Sequence, residues 1–173
     1  MGYAHLPDPD KKYNHDPKTL TTLRRTKGAP LREIIEGIER LHADLGAYYA
    51  AAADQALSPR ARMFLEFMAA HELAMTESLQ DTLRDTPDNT LSGWFKYTPE
   101  IPNDELLARF DIRPDMTVDE VAENMMMVHN TLSGVYEPLK ESAGTEDLRQ
   151  EVEQLMALER EHASRAWRAA SSE

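Results

Sequence analysis

The chain has 173 residues, a net charge of -12 and no cysteine. Its length is sufficient for one domain with a hydrophobic core. The negative charge argues against nucleic acid and membrane surfaces as partners, because their phosphates would be repelled. The absence of cysteine excludes disulfides, thiolate metal sites and thiol catalysis. No apolar run has the length of a signal-peptide core or a membrane span, so we expect a cytoplasmic protein.

The first part of the chain, residues 1–29, is rich in Pro, Asp, Lys and Thr. Such a segment can bury little apolar surface. We therefore predict an N-terminal tail or arm over residues 1–29, followed by a helical domain over residues 30–173.

A first helical hairpin is predicted over residues 30–85. From Pro30 onward, residues of one face recur at alternating steps of three and four, which is the spacing of a buried helix stripe. Ser58 is placed to cap a second helix, with Pro59 at its first position. The helical pattern then ends near Asp85.

A long crossover separates this hairpin from a second one. Residues 86–116 contain four prolines and one glycine, with only a brief helical signal. Thr117 and Glu120 then have the spacing of a capping box, and Thr145 is placed to cap the last helix of a hairpin over residues 117–170. Two hairpins joined in this way predict an all-α, antiparallel four-helix bundle with a crossover between helices 2 and 3.

The two hairpins also look like an internal repeat. A shift of 87 residues aligns residues 31–80 with residues 118–167 without a gap. The identical pairs in this register include His42 with His129, Tyr49 with Tyr136, and Glu72 with Glu159. Amphipathic hairpins can align by helical period alone, but histidine is rare in this chain, so a shared His-x6-Tyr pattern favours a true repeat.

Ionisable residues interrupt all four predicted core faces near the helix centres. They are His42, Glu72, His129, Glu159 and His162. Buried polar groups must pair with one another or with a cation, because an unpaired buried charge is strongly unfavourable. Imidazole and carboxylate ligands without thiolates favour iron or manganese over structural zinc. We therefore predict a metal site here, with a metal-free hydrogen-bonded interior as the alternative.

The last helix carries Glu159 and His162 as a Glu-x-x-His pair. Together with the four-helix pattern, this pair resembles the ferritin-like superfamily, and its rubrerythrin-type branch in particular, over the helical parts of residues 31–170. In that family two helices each give one Glu and two each give Glu-x-x-His, and these ligands hold two metal ions. Glu72 matches the second such Glu, but Met75 occupies the position of the second His.

The other two ligand positions also depart from the family pattern. His42 and His129 stand where the family has its single Glu ligands, and each is followed seven residues later by a tyrosine, Tyr49 or Tyr136. We interpret these tyrosines as hydrogen-bond partners of the ligands or as core aromatics. The resemblance implies a similar site with two carboxylates, able to hold one or two ions.

The resemblance implies a non-haem metal protein that reacts with oxygen, peroxide or another small oxidant. Iron is the expected metal, with manganese or zinc as alternatives. Rubrerythrin's rubredoxin-like domain needs cysteine ligands, and this chain has none, so the electron donor, the reaction and enzymatic activity itself stay open. Iron storage is disfavoured by the small number of carboxylates.

The alternative function is a metal-free helical bundle that serves as a protein-interaction module. Its contact surface would be the acidic exterior and the crossover, where Trp94, Phe95 and Tyr97 form an aromatic segment. Assembly into a homo-oligomer is compatible with either function.

Overall fold

The computed structural model describes residues 25–99 and 103–172. Its elements in chain order are β1 (Arg25–Pro30), α1 (Leu31–Gln55), α2 (Pro59–Asp85), α3 (Asp88–Leu91), β2 (Trp94–Pro99), α4 (Asn103–Arg109), α5 (Val118–Ser142) and α6 (Glu146–Ser171). The four long helices α1, α2, α5 and α6 confirm the predicted antiparallel bundle. Among the described residues, no helix combines the length and the apolar character needed to cross a membrane.

The predicted capping residues define where three of the long helices begin. The Ser58 side chain accepts a hydrogen bond from the backbone three residues on, and proline follows at the first helical position. Thr117 and Glu120 form a reciprocal capping box at the start of α5. Thr145 caps α6 in the same way as Ser58 caps α2. Pro30 caps α1 without a side-chain bond, so the first helix relies on packing for its start.

The core lies between two helical hairpins. Helix α1 packs along α2, α5 packs along α6, and α2 contacts both α5 and α6. The fully buried aliphatic side chains include Leu31, Ile35, Ile38, Leu41, Leu45, Leu65, Met68 and Leu79. These residues recur with helical spacing along α1 and α2, so the apolar faces predicted from the sequence line the interior of the bundle.

The crossover runs along the length of the bundle. Near its start, the Gly93 carbonyl accepts a hydrogen bond of 2.9 Å from the Leu31 N–H at the first turn of α1. Near its end, the Pro114 carbonyl accepts one of 2.9 Å from the Leu57 N–H, at the turn after α1. These contacts lie at opposite ends of a 25-residue helix, which is about 37 Å long. The crossover therefore delivers the chain to the correct end for α5.

A two-stranded ribbon, absent from the helical prediction, joins the N-terminal segment to the crossover. Strands β1 and β2 pair antiparallel, with Ala29 opposite Phe95. A Cβ at Gly28 would lie 2.1 Å from the Phe95 carbonyl oxygen, so glycine permits this close approach. Residues 25–29 of the predicted tail thus form a strand, and residues 1–24 lie outside the described residues.

The helix boundaries follow the register of the predicted repeat. Helices α1 and α5 begin at Leu31 and Val118, and α2 and α6 begin at Pro59 and Glu146. Both pairs of starting residues are 87 positions apart, as in the sequence alignment. The repeat stays a prediction, and this shared offset supports it.

Candidate metal centre

The five predicted site residues surround one cavity in the bundle interior. Helices α1, α2 and α5 supply one residue each, and α6 supplies two. The cavity has a volume of about 20 Å³ and is lined by His42, Tyr49, Glu72, Met125, Val128, His129, Leu132, Glu159, His162 and Ala163. This volume accommodates one water molecule or one ion.

His42 lies at the centre of a buried hydrogen-bond network. Its Nδ1 is 2.6 Å from Glu72 Oε2, and its Nε2 is 2.8 Å from Glu159 Oε1. All three side chains are almost completely inaccessible to solvent. Each ring nitrogen of His42 therefore faces a different carboxylate, which comes from a different helix.

The carboxylates determine the charge of His42. Burial alone would lower the pKa of His42, but the charges of Glu159 and Glu72 and their hydrogen bonds outweigh burial and raise the pKa to about 10. Burial alone would raise the pKa of Glu72, yet hydrogen bonds from His162 and His42 lower it to about 2. In the metal-free protein at neutral pH, an imidazolium thus donates N–H groups to two ionised carboxylates.

Glu159 has a second donor besides His42. The Tyr136 hydroxyl donates a hydrogen bond of 3.1 Å to Oε1, the same oxygen that faces His42. Burial opposes ionisation of Glu159, but the charge and the hydrogen bond of His42 lower its pKa. Burial and the neighbouring Glu159 charge raise the pKa of Tyr136 well above its usual value, so this hydroxyl stays protonated as a donor.

His162 completes the network on the side of Glu72. Its Nε2 lies 3.2 Å from Glu72 Oε1. The ring stands edge-on to His42, with centroids 5.3 Å apart and an interplanar angle of 82°. Both oxygens of Glu72 thus face histidine nitrogens, Oε1 towards His162 and Oε2 towards His42.

His71 is a residue of the site that the sequence pattern did not single out, because it lies about 100° around α2 from the core stripe. Its ring stacks on His162 with centroids 3.8 Å apart and an angle of 1°. Its Nε2–H donates to the His162 backbone carbonyl at 2.8 Å. Burial, with the nearby His162, lowers the pKa of His71. The His71 ring that stacks on His162 is therefore neutral.

His129 lines the cavity but is less tightly held than the other four predicted ligands. It is half-buried, and no hydrogen bond joins its ring to another described residue. Burial lowers the pKa of His129 despite the attraction of Glu159, so the ring is neutral and has a free lone pair at neutral pH. Its role as a ligand stays a prediction.

The two tyrosines of the predicted repeat differ in their contacts. Tyr136 donates to Glu159. Tyr49 is 1% exposed and lines the cavity, but its hydroxyl makes no hydrogen bond within the described part of the chain. A buried hydroxyl without a partner is costly. The Tyr49 hydroxyl is therefore available to a molecule or ligand group inside the cavity.

Three side chains provide a donor set that fits one metal ion. One ligand atom each from His42, Glu72 and His162 can be chosen so that all three lie within 4.8 Å of one another. The contacts of 2.6 and 3.2 Å join His42 and His162 to different oxygens of Glu72. The three side chains therefore already lie together, and an ion bound by all of them would replace these hydrogen bonds.

Met75 occupies the position where the resemblance would place another histidine. Its side chain is 3% exposed and belongs to the hydrophobic core. It does not line the cavity. The second Glu-x-x-His of the family pattern therefore has no metal-ligating equivalent on α2.

Comparison with known proteins gives one structural likeness. No family model and no curated protein matches the sequence. The structure is similar to a solved Thermotoga maritima structure provisionally described as a ferritin-like diiron-carboxylate protein, with 16% identity and a TM-score of 0.53. The match covers 84% of this chain and 97% of the other. At this identity the likeness shows the fold, so the chain is an all-α ferritin-like bundle.

Proposed function

We propose that this ferritin-like bundle is a non-haem metal protein whose interior binds a divalent first-row ion, with iron as the natural metal. The observation that supports the proposal is the convergence of His42, Glu72 and His162 on one buried cavity. Imidazole and carboxylate donors without thiolates suit iron and manganese. The description of the Thermotoga maritima protein as a diiron-carboxylate protein points in the same direction.

The bound metal would supply redox chemistry, and the protein would control what reaches it. A cavity of about 20 Å³ holds little more than the ion itself, so only a molecule about as small as water, dioxygen or peroxide could bind at an open coordination position. The surrounding apolar side chains exclude bulk water, and the paired charges hold the ligands in place. We therefore propose an oxidoreductase that acts on oxygen or peroxide, in which Glu159 and Tyr136 orient the ligand His42.

The second candidate is a metal-free bundle that binds a protein partner. It is favoured by the internal ion pairs, because His42 lies between two carboxylates and balances part of their charge without a metal. Trp94 and Tyr97 on β2 are 62% and 52% exposed and would form the contact surface. The metal content of the purified protein separates the two candidates.

The test is elemental analysis of protein produced with iron, manganese and zinc all supplied. Stoichiometric metal in the wild type, lost in Glu72→Ala and His162→Ala, is the expected result. Glu77→Ala is the matched control, because Glu77 lies on the same helix as Glu72 but is exposed. If the wild type contains no metal and its thermal stability does not change on adding Fe(II), Mn(II) or Zn(II), the metal-binding function is excluded and the protein-interaction bundle remains.

A further inference from the structure

We propose that the cavity holds a single ion, bound by His42 Nδ1, a Glu72 oxygen and His162 Nε2, whereas Glu159 is a positioning residue and not a ligand. This inference rests on the proposed metal-binding function and specifies it. Of the one or two ions that the resemblance allows, it selects one, and it reduces the expected ligands to two histidines and one carboxylate.

The two histidine rings are oriented towards the same carboxylate. His42 Nδ1 lies 2.6 Å from one oxygen of Glu72, and His162 Nε2 lies 3.2 Å from the other. The perpendicular rings bring these two nitrogens to one carboxylate from different helices. An ion placed among these three groups takes one lone pair from each of them, which satisfies all three side chains at once.

Glu159 is placed as a partner of His42 and not as a ligand of the ion. It faces His42 Nε2 at 2.8 Å, and the two nitrogens of an imidazole point in different directions from the ring. An ion at Nδ1 therefore lies on the opposite side of the ring from this carboxylate. A metal-ligating histidine usually donates its other N–H to a carboxylate, which fixes the tautomer and the ring orientation, and Glu159 makes this contact here.

The Tyr136 hydroxyl strengthens this assignment. It donates to Oε1 of Glu159 at 3.1 Å, the oxygen already facing His42. Two donors thus hold Glu159 in an orientation towards His42 Nε2. His129, the remaining predicted ligand, lines the same cavity and makes no hydrogen bond to another described residue.

The charge balance in the interior also favours one ion. Glu72 and Glu159 together carry two negative charges, which one divalent ion neutralises. A second divalent ion would leave a net positive charge of two in a buried, largely apolar environment, which is strongly unfavourable. No other carboxylate lines the cavity among the described residues.

This assignment specifies the kind of chemistry. Two histidines and one carboxylate form the ligand set of mononuclear non-haem Fe(II) oxygenases, and this set leaves coordination positions open. The Tyr49 hydroxyl lines the same cavity and has no hydrogen-bond partner among the described residues. It is placed to donate to a water molecule or another small group bound at the ion.

The experiment is a Co(II) titration of the metal-free full chain, followed by calorimetry and by the visible absorption of the bound ion. We expect one ion per chain in the wild type. Glu72→Gln should weaken binding by about 100-fold and change the absorption spectrum, because a neutral amide oxygen replaces a charged carboxylate ligand. Glu159→Gln should keep one ion per chain and the same spectrum, because it leaves all three ligands in place. Glu77→Gln, on an exposed position of α2, should behave as the wild type.

Tyr136→Phe provides a second variant in case Glu159→Gln fails to fold. It frees Glu159 without removing either carboxylate, so the spectrum should again be unchanged while binding weakens. Two ions per chain, or a changed spectrum in Glu159→Gln or Tyr136→Phe, would overturn the single-ion assignment and leave the metal function standing. A wild type that binds no Co(II) would overturn both.

Discussion

Metal binding at His42 should release one proton, and its affinity should therefore increase with pH. In the metal-free protein the two flanking carboxylates raise the pKa of His42 to about 10, so the ring is almost fully protonated at pH 7. An ion that takes Nδ1 must displace that proton. The Glu72 carboxyl, with a pKa of about 2, is already ionised and releases none.

The size of the effect follows from the distance between the working pH and the His42 pKa. At pH 7, about three units below the pKa of His42, removal of its proton makes metal binding less favourable by roughly 4 kcal/mol. Raising the pH from 7 to 8 should reduce this cost by about 1.4 kcal/mol. The dissociation constant should therefore fall about tenfold over that unit.

The assay is calorimetric titration with Co(II) in Tris and in HEPES, which differ in the heat of taking up a proton. We expect one proton released per ion, seen as a more exothermic reaction in Tris, and the pH dependence just described. A competing chelator with known proton stoichiometry serves as the control for metal hydrolysis. Equal heats in both buffers together with a flat affinity between pH 7 and 8 would refute the imidazolium between two carboxylates.

Three further predictions concern folding stability. Gly93→Ala should destabilise the protein by roughly 1–3 kcal/mol in urea unfolding, because a Cβ there would lie 2.5 Å from a leucine side chain. Gly144→Ala, with nothing within 4 Å of its Cβ, is the matched control, and an equal loss in both would contradict the packing argument. Thr117→Ala should cost about 1 kcal/mol in thermal unfolding, because it removes the α5 capping box, and an unchanged midpoint would refute that contribution. Tyr136→Phe should destabilise the metal-free protein by about 1–2 kcal/mol, because it loses a hydrogen bond to a buried carboxylate. Tyr49→Phe should not, and equal losses would contradict the difference between the two tyrosines.

The helical core could be predicted from the sequence because its signals are local. Caps at Ser58, Thr117 and Thr145 depend on residues within one turn, and the apolar stripes depend on helical spacing. The β1–β2 ribbon depends instead on pairing between segments about seventy positions apart. Neither segment has an alternating apolar pattern, so the ribbon could not be predicted from either segment alone.

The same distinction applies to the candidate site. Helical spacing places His42, Glu72 and Glu159 on core faces, but it does not specify which nitrogen meets which carboxylate. That pairing depends on side-chain rotamers and on how the helices pack together. His71 is an example of what helical spacing cannot predict. Its angle around α2 indicates a position away from the core, but α6 approaches closely enough to stack the His162 ring on it.

X-ray absorption spectroscopy of the iron-loaded full chain tests the central claim most directly, because it reports the ligands and any neighbouring metal in one measurement. We expect one ion per chain with nitrogen and oxygen ligands at about 2.1 Å, and scattering from two imidazole rings, those of His42 and His162. We expect no neighbouring metal. A second metal at roughly 3.5–4 Å, the spacing of two-metal sites, or a spectrum without histidine scattering, would contradict the single-ion site.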